Sequence, residues 1–340
     1  MEQVETALIL MTEYVHENIE FLADEDFTTE MMRNVMQLME AQFDSVMEEV
    51  YIHALRLFTK GRTTYTRVVV DDLDAKIDAL RKKPQPVQRT PEWYEYRHKL
   101  ITASSAYKAL GSEAKIRELV KSKQGPVVIH TGTNTEGPMH WGVKYEPVSI
   151  QYYTYVNKTQ VEEFGCLPHD TYLFLGASPD GINVLESSPL YGRMLEVKNP
   201  FSREITGNPK KEYWIQCQLQ LEVCNLEECD FLETSFKEYE SEEAFQADGT
   251  FQKTATGQYK GIILQFFTDK VVYEYAPFQC TQEEYTEWER SQMDDRSWVR
   301  TIYWRLEEIS CVLIRRSPEW FQCMIPQLET VSELIYSIKL

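Results

Sequence analysis

The sequence predicts an α/β fold in which helices flank a central mixed β-sheet, with a helical region added at the N-terminus. Three observations predict it. Apolar residues recur at helical spacing through residues 1–60, as one buried helix face requires. Short β-branched and aromatic runs bounded by turn residues follow between residues 159 and 276, the mark of strands. Helical segments stand before, between and after those runs, so the order is helix, several strands, helix, more strands and closing helices, which is that of a mixed sheet with helical layers.

Taken in order, Leu8, Met11, Val15, Ile19 and Leu22 form one helical stripe, and Met32, Val35, Met36, Met39, Phe43, Val46, Met47 and Val50 form another. Thr28, followed by Glu30 and Met31, starts the second. Methionine is a flexible gap filler, so this stripe reads as core or as a helix-partner surface. Residues 71–83 form another short helix. Arg81-Lys82-Lys83-Pro84-Gln85-Pro86 combines charge with two prolines, which stop a helix and favour extended chain. It divides an N-terminal helical region, 1–85, from a main domain, 86–340. Pro91 to Gly111 reads as two short helices broken near Ile101-Thr102-Ala103-Ser104, and residues 139–156 as one helix. Strands are predicted at 159–166, 171–177, 182–186 and 193–198, then a helix from Tyr213 to Cys224. Further strands fall at 229–236, 260–267 and 270–276, the last alternating clearly through Val271-Val272-Tyr273-Glu274-Tyr275. The polar stretch 239–258 reads as a surface loop. Thr281 to Glu308 and residues 318–338 read as closing helices.

Composition bounds the function. With 340 residues, 43% of them hydrophobic and 12% aromatic, the chain is globular and long enough for a full core,. Acids outnumber bases 54 to 35, a net charge of −19, which argues against a protein held to nucleic acid by a diffuse positive surface. A small local basic channel remains compatible, and such a site would need divalent metal to neutralise it. The seven cysteines include no CxxC pair, which points to free thiols in a reducing compartment rather than a zinc cluster. The N-terminus lacks the basic start and apolar run of a signal peptide. No stretch approaches the ~18 apolar residues of a membrane span. The expectation is an intracellular protein, not secreted, with no membrane partner. No Gly-rich phosphate loop implies ATP.

The residues with chemistry begin at Glu196-Val197-Lys198, preceded by Ser178-Pro179-Asp180-Gly181. On a strand Glu196 and Lys198 share one face, and Leu195 and Val197 the other. The tight Pro-Asp-Gly turn can bring Asp180 to the same edge. Phosphodiester hydrolysis at neutral pH needs an activated water and a neutralised leaving oxygen, and a pair of Mg²⁺ ions supplies both. Asp180, Glu196 and the carbonyl of Val197 offer the hard oxygens that Mg²⁺ takes. Lys198 can orient the attacking water or stabilise the phosphate. The competing reading is an edge strand carrying a solvated charge pair. Glu146, in Trp141-Gly142-Val143-Lys144-Tyr145-Glu146-Pro147, can complete a two-metal ligand set, or be an ordinary helix-surface acid. Tyr213, Gln216 and Gln220 share a helix face, and Gln216 can position a water, since an amide donates and accepts at once. Arg97 with Ser104, near a helix start, can clamp a phosphate.

The order W-x₃-R-x₃-ITAS, WGxxYE, SPDG, ExK-x-P and Y-x₂-Q-x-Q, spread over roughly residues 90–235, resembles the lambda-exonuclease-type (YqaJ-like) family of the PD-(D/E)XK nuclease superfamily, which includes viral members. The resemblance implies a restriction-endonuclease-like core in residues 86–340. It implies Glu146, Asp180 and Glu196 as metal ligands, Lys198 as the active-site lysine and Gln216 as the holder of the nucleophilic water. Arg97, Ser104, Ser178 and Arg203 correspond to a pocket for a DNA 5′-phosphate. The implied activity is Mg²⁺-dependent 5′→3′ digestion of duplex DNA ends, with two ions and Mn²⁺ as a substitute. Implied partners are DNA, a single-strand annealing protein and further copies of the chain, in the cytoplasm or nucleus of a host cell. An endonuclease or RNA-degrading relative, and an inactive protein-binding scaffold, stand as the alternatives.

Overall fold

The N-terminal apolar stripes fold as three separate helices. In the computed structural model, which describes residues 2–24, 26–43, 45–63, 72–128, 135, 137–293 and 296–337, these are α1 (Glu2–Glu17), α2 (Phe27–Gln42) and α3 (Glu48–Thr63). Met11, Val15, Met31, Val35, Met39 and Ala54 meet between them in a core of their own. Met36 and Met47, placed in the same stripe by sequence, are exposed: Met36 stands one position off the buried Met31, Val35 and Met39 face of α2,, and Met47 lies beyond the end of that helix at Phe43. A single 3-10 turn at Ile19–Phe21 follows α1. Ile19, Leu22 and Ala23 pack on the main core.

Helix α4 (Leu73–Lys82) starts just beyond residue 71, which lies outside the described residues, and contributes Leu80 to the main core. Then come α5 (Pro91–His98), β1 (Ile101–Thr102), α6 (Ala103–Ala109), α7 (Glu113–Gln124) and α8 (Pro138–Asn157). Thr90 caps α5 by accepting from Trp93 N–H at 3.3 Å, with Pro91 at the first turn where its missing N–H costs nothing,. Four short strands follow, β2 (Val161–Glu162), β3 (Leu167–Pro168), β4 (Leu175–Ala177) and β5 (Gly181–Asn183), then β6 (Met194–Lys198). The chain continues through α9 (Lys211–Cys224), β7 (Glu228–Glu238), α10 (Glu242–Ala247), β8 (Lys260–Phe267), β9 (Val271–Tyr275), α11 (Gln282–Gln292), β10 (Ser297–Arg315) and α12 (Pro318–Tyr336).

The strands form two sheets. The larger runs β2-β5-β6-β7-β10-β8-β9, and the smaller β1-β4-β3. Strands β6 and β7 are parallel, joined by the crossover helix α9, while the other neighbours in the larger sheet are antiparallel,. The sheet is therefore mixed and flanked by helices, the fold class that the sequence predicts. One sequence expectation is corrected here: residues 297–308 are strand, not the second half of a helix from Thr281. Helix α11 ends at Gln292, and β10 then buries Ile302, Trp304 and Leu306 at strict period two, the pattern of a strand with one covered face. Helix α10 lies inside the expected surface loop, capped by Ser241 and anchored by the buried Phe245. Helix α7 was not foreseen.

Candidate active site

Strand β6 sits between β5 and β7, so it is interior to the sheet. Leu195 and Val197 pack on one face with Tyr153 of α8 and Leu232 of β7. Glu196, only 1% exposed, points to the other face, which α9 covers. The solvated edge pair is thereby overturned. A bare carboxylate at that depth would be expensive to desolvate, and three donors offset the cost. Gln216 Nε2 donates to Glu196 Oε1 at 2.6 Å, Gln220 Nε2 to Oε2 at 2.6 Å, and Lys198 Nζ to Oε1. Gln216 and Gln220 are one helical turn apart on α9, the spacing that puts both amides over one carboxylate. The i, i+3, i+7 pattern had placed Gln220 on this face without giving it a role.

Asp180 reaches the same place from the loop between the two sheets. Its Oδ2 accepts the Val197 N–H at 2.7 Å, where the β5–β6 ladder ends. The following residue must be glycine: a Cβ on Gly181 would stand 2.1 Å from Val161 Cγ1 of β2. Glu146 arrives from α8, which is tied to the end of β6 by a small network. Ser149 Oγ donates to Asn199 Oδ1 at 2.7 Å, Thr234 Oγ1 to the same oxygen at 2.7 Å, and Asn199 Nδ2 to the Gly142 carbonyl at 3.3 Å. The sequence had pointed to none of Asn199, Ser149 and Thr234. They are ordinary polar residues without a motif, recognisable only once the strand ends are placed.

The electrostatics of this cluster are those of crowded acids. Burial, then Glu196 and Glu146 nearby, pushes the Asp180 carboxyl well above the usual range for aspartate. Burial also raises Glu146, with Arg89 working the other way. Burial works against the Lys198 ammonium, but Glu196 and Asp180 beside it hold its pKa above the ordinary lysine value, so it stays charged at neutral pH. The donor set of Glu146, Asp180, Glu196 and the Val197 carbonyl is all oxygen, and its acids repel one another for want of positive charge. In chemistry it suits Mg²⁺ or Mn²⁺. Among the described residues, no three acidic, histidine or cysteine side chains are gathered closely enough to hold one ion in this conformation. Glu146 is instead paired with Arg89 at 3.0 Å, so completing such a set requires that pair to open.

The second cluster adjoins the first. Arg97, on α5, donates through Nη1 to Ser178 Oγ and through Nη2 to Ser104 Oγ, both at 3.1 Å, and lies 4.2 Å from the Trp93 ring centre. Lys123, from the unforeseen α7, donates to the Arg97 carbonyl at 2.8 Å. Burial and the neighbouring Arg97 lower its pKa to about 8. Arg203 is held elsewhere. It pairs with Glu233 of β7, and its guanidinium carbon stands 5.4 Å from the Tyr213 ring centre. Among the described residues, the structure thus brings Asp180, Glu196, Lys198 and Gln216 together, joins Arg97, Ser104 and Ser178, and places Arg203 on Glu233. No helix of the described residues is long and apolar enough to cross a membrane, and the seven cysteines are free thiols.

Three comparisons bear on this arrangement. The model of the YqaJ-like viral recombinase domain matches residues 92–227, the stretch that carries both clusters. An uncharacterised protein of Acanthamoeba polyphaga mimivirus is 30% identical over 300 residues, covering 75% of this chain and 54% of that protein. The chain thus spans about half the length of that relative. Among solved structures, an alkaline exonuclease from Laribacter hongkongensis is 19% identical and covers 73% of this chain and 91% of its own, with a TM-score of 0.40. A phage-related exonuclease from Haemophilus somnus is 13% identical, covering 71% and 96%, with a TM-score of 0.38. Through residues 92–227, this chain is similar to the YqaJ-like viral recombinase domain family.

Proposed function

We propose that the chain is a metal-dependent DNA exonuclease that digests duplex ends 5′→3′. The observation that carries this reading is one short connection between strands. Ser178-Pro179-Asp180-Gly181 leaves the smaller sheet at β4 and enters the larger at β5. Ser178 joins Arg97 and Ser104 in a cluster that can grip a phosphate, and two residues on, Asp180 joins Glu196 and Lys198. A terminal phosphate held by the first cluster sets the next phosphodiester near the second, which is what end-directed cutting requires.

Glu146, Asp180, Glu196 on β6 and the Val197 carbonyl would hold the ions. Mg²⁺ bound there supplies charge neutralisation at the phosphate and lowers the pKa of water. Lys198, cationic and fixed against Glu196, orients the attacking water and offsets charge developing on phosphorus-bound oxygen. Gln216 and Gln220 hold the Glu196 carboxylate in place. Arg97 binds the end as a forked donor. The reading places the enzyme in viral DNA recombination within a host cell, where the 3′ single strand it leaves is the substrate of an annealing protein. The test is a pair of substrates. A linear duplex with 5′-phosphate should be consumed and a covalently closed circle left intact. Arg97→Ala should slow the 5′-phosphorylated duplex by about 10-fold or more, the worth of one charge-assisted hydrogen bond pair, with little effect on a 5′-hydroxyl duplex. A cut circle, or equal losses on both ends, would contradict end recognition.

A further inference from the structure

The site has a buried acid to which nothing above gives a role. Glu233 lies on β7 directly opposite Lys198 in the parallel β6–β7 register, so the two side chains leave the sheet on the same face. It is 1% exposed, and one of its carboxylate oxygens, Oε2, has no hydrogen-bond partner. The other accepts from Arg203 Nη2. A carboxylate oxygen buried without a donor is a cost to folding, and an apolar side chain would fill the same place without it. Glu233 is therefore not explained by packing.

Its partner explains it. Arg203 belongs to residues 199–210, a stretch without regular structure between β6 and α9. Beyond Asn199, Phe201 meets Trp141 at 5.3 Å between ring centres and Arg203 meets Glu233, and both pin this segment. The guanidinium then stands over Tyr213, whose ring centre is also 5.3 Å from Lys198 Nζ. Tyr213 stacks on Phe231, the β7 residue opposite Glu196. One aromatic ring thus lies within 5.4 Å of two cations, and one buried acid fixes the Arg203 guanidinium. Arg203 keeps about a quarter of its side chain open to solvent; Nη2 donates to Glu233 and Nη1 to the Glu204 carbonyl at 3.2 Å, and a guanidinium has five N–H donors, so the fork retains others for a phosphate.

We propose that Glu233 is a positioning residue that holds Arg203 against Tyr213 as a grip for a DNA backbone phosphate beside Lys198; this rests on the nuclease reading above. The test is binding of a 5′-phosphorylated fluorescent duplex, followed by anisotropy in Ca²⁺ so that the DNA stays intact, with thermal melting of each protein in parallel. Glu233→Gln, which keeps the shape but loses the charge that fixes the guanidinium, should raise Kd by about fivefold and lower the salt-dependence slope by about one, the signature of a lost phosphate contact. Arg203→Gln should do the same, and the double variant should be no worse than Arg203→Gln alone, because the two act as one unit. Arg203→Lys, which keeps the charge without the fork, should recover only part of the affinity. Unchanged affinity in Glu233→Gln, additive losses in the double variant, or a melting temperature lowered by more than about 5 °C would overturn the proposal, the last by marking Glu233 as a structural brace. Wild-type protein that binds no DNA overturns the nuclease reading and this one with it; wild-type binding with an unaffected Glu233→Gln overturns this one alone.

Discussion

Glu196 carries most of what the structure adds to the sequence. As a motif it was ambiguous with a solvated charge, because a strand's period fixes which face a residue takes but not whether that face is covered. Its burial beneath α9, with Gln216, Gln220 and Lys198 as donors, removes the ambiguity. Asp180 was legible because Pro-Asp-Gly marks a break between strands, here the short connection from β4 to β5. Arg89 and Glu233 were not, since each acts through a partner far away in sequence. The crowding of acids gives a prediction with a definite sign. The folded-state pKa of Asp180 is raised, so above its ordinary value of 3.8 the folded chain retains a proton that the unfolded chain has lost. Stability contributed by this group is thus present at low pH and falls as pH rises toward the raised value. Melting in EDTA should show this decline, and Asp180→Asn should flatten it and melt higher than wild type at pH 7. Mn²⁺ should stabilise the wild type and not the variant. A variant that melts lower than wild type in EDTA at that pH would contradict the account of the site.

Elements were legible in proportion to their length and regularity. Helices α8 and α9 were readable because they run for 20 and 14 residues, and β6 because its apolar run carries the Glu196-Val197-Lys198 motif, although β6 and α9 are buried on nearly every side. The strands β1 to β5 are two or three residues long, too short to show a period. Strand β10 was missed for the opposite reason. Its 19 residues pair with β7 along one edge and β8 along the other, through two bulges, so the alternation at 302–306 is diluted by charged residues elsewhere in the strand. Function depends on β6 as an element, because Asp180 hangs from its backbone and Glu196 and Lys198 from its face. Leu195→Ala removes a fully buried side chain packed between β6 and α8. It should cost about 2–5 kcal/mol in denaturant unfolding, with loss of cleavage following loss of fold. Unfolding within about 0.5 kcal/mol of wild type would mean that β6 is not held as described.

The whole chain divides less cleanly than the proline-rich segment at 81–86 suggested. Helices α1 to α3 keep their own core, but residues 19–23 and α4 add Ile19, Leu22, Ala23, Leu73 and Leu80 to the main one. Arg81 also pairs with Glu162 of β2 at 2.6 Å. The sequence could show the linker chemistry but not that the segment before it packs back. Charge shapes the substrate reading at this scale. A chain of net charge −19 cannot hold DNA by a broad field. If Arg97, Lys123, Lys198 and Arg203 provide the phosphate contacts, the slope of log affinity against log salt should be no steeper than about −4. A much steeper slope would reveal a basic surface that these clusters do not include.

The most direct test of the central claim uses a linear duplex labelled at its 5′ ends, incubated with wild-type protein and with Lys198→Ala, in Mg²⁺ and in EDTA. Wild-type protein in Mg²⁺ should release the label early as a mononucleotide, and both EDTA and Lys198→Ala should reduce that release by about 10²-fold or more. Release that persists in EDTA, or a Lys198→Ala variant as fast as wild type, would show that the Asp180, Glu196 and Lys198 cluster is not where the DNA is cut.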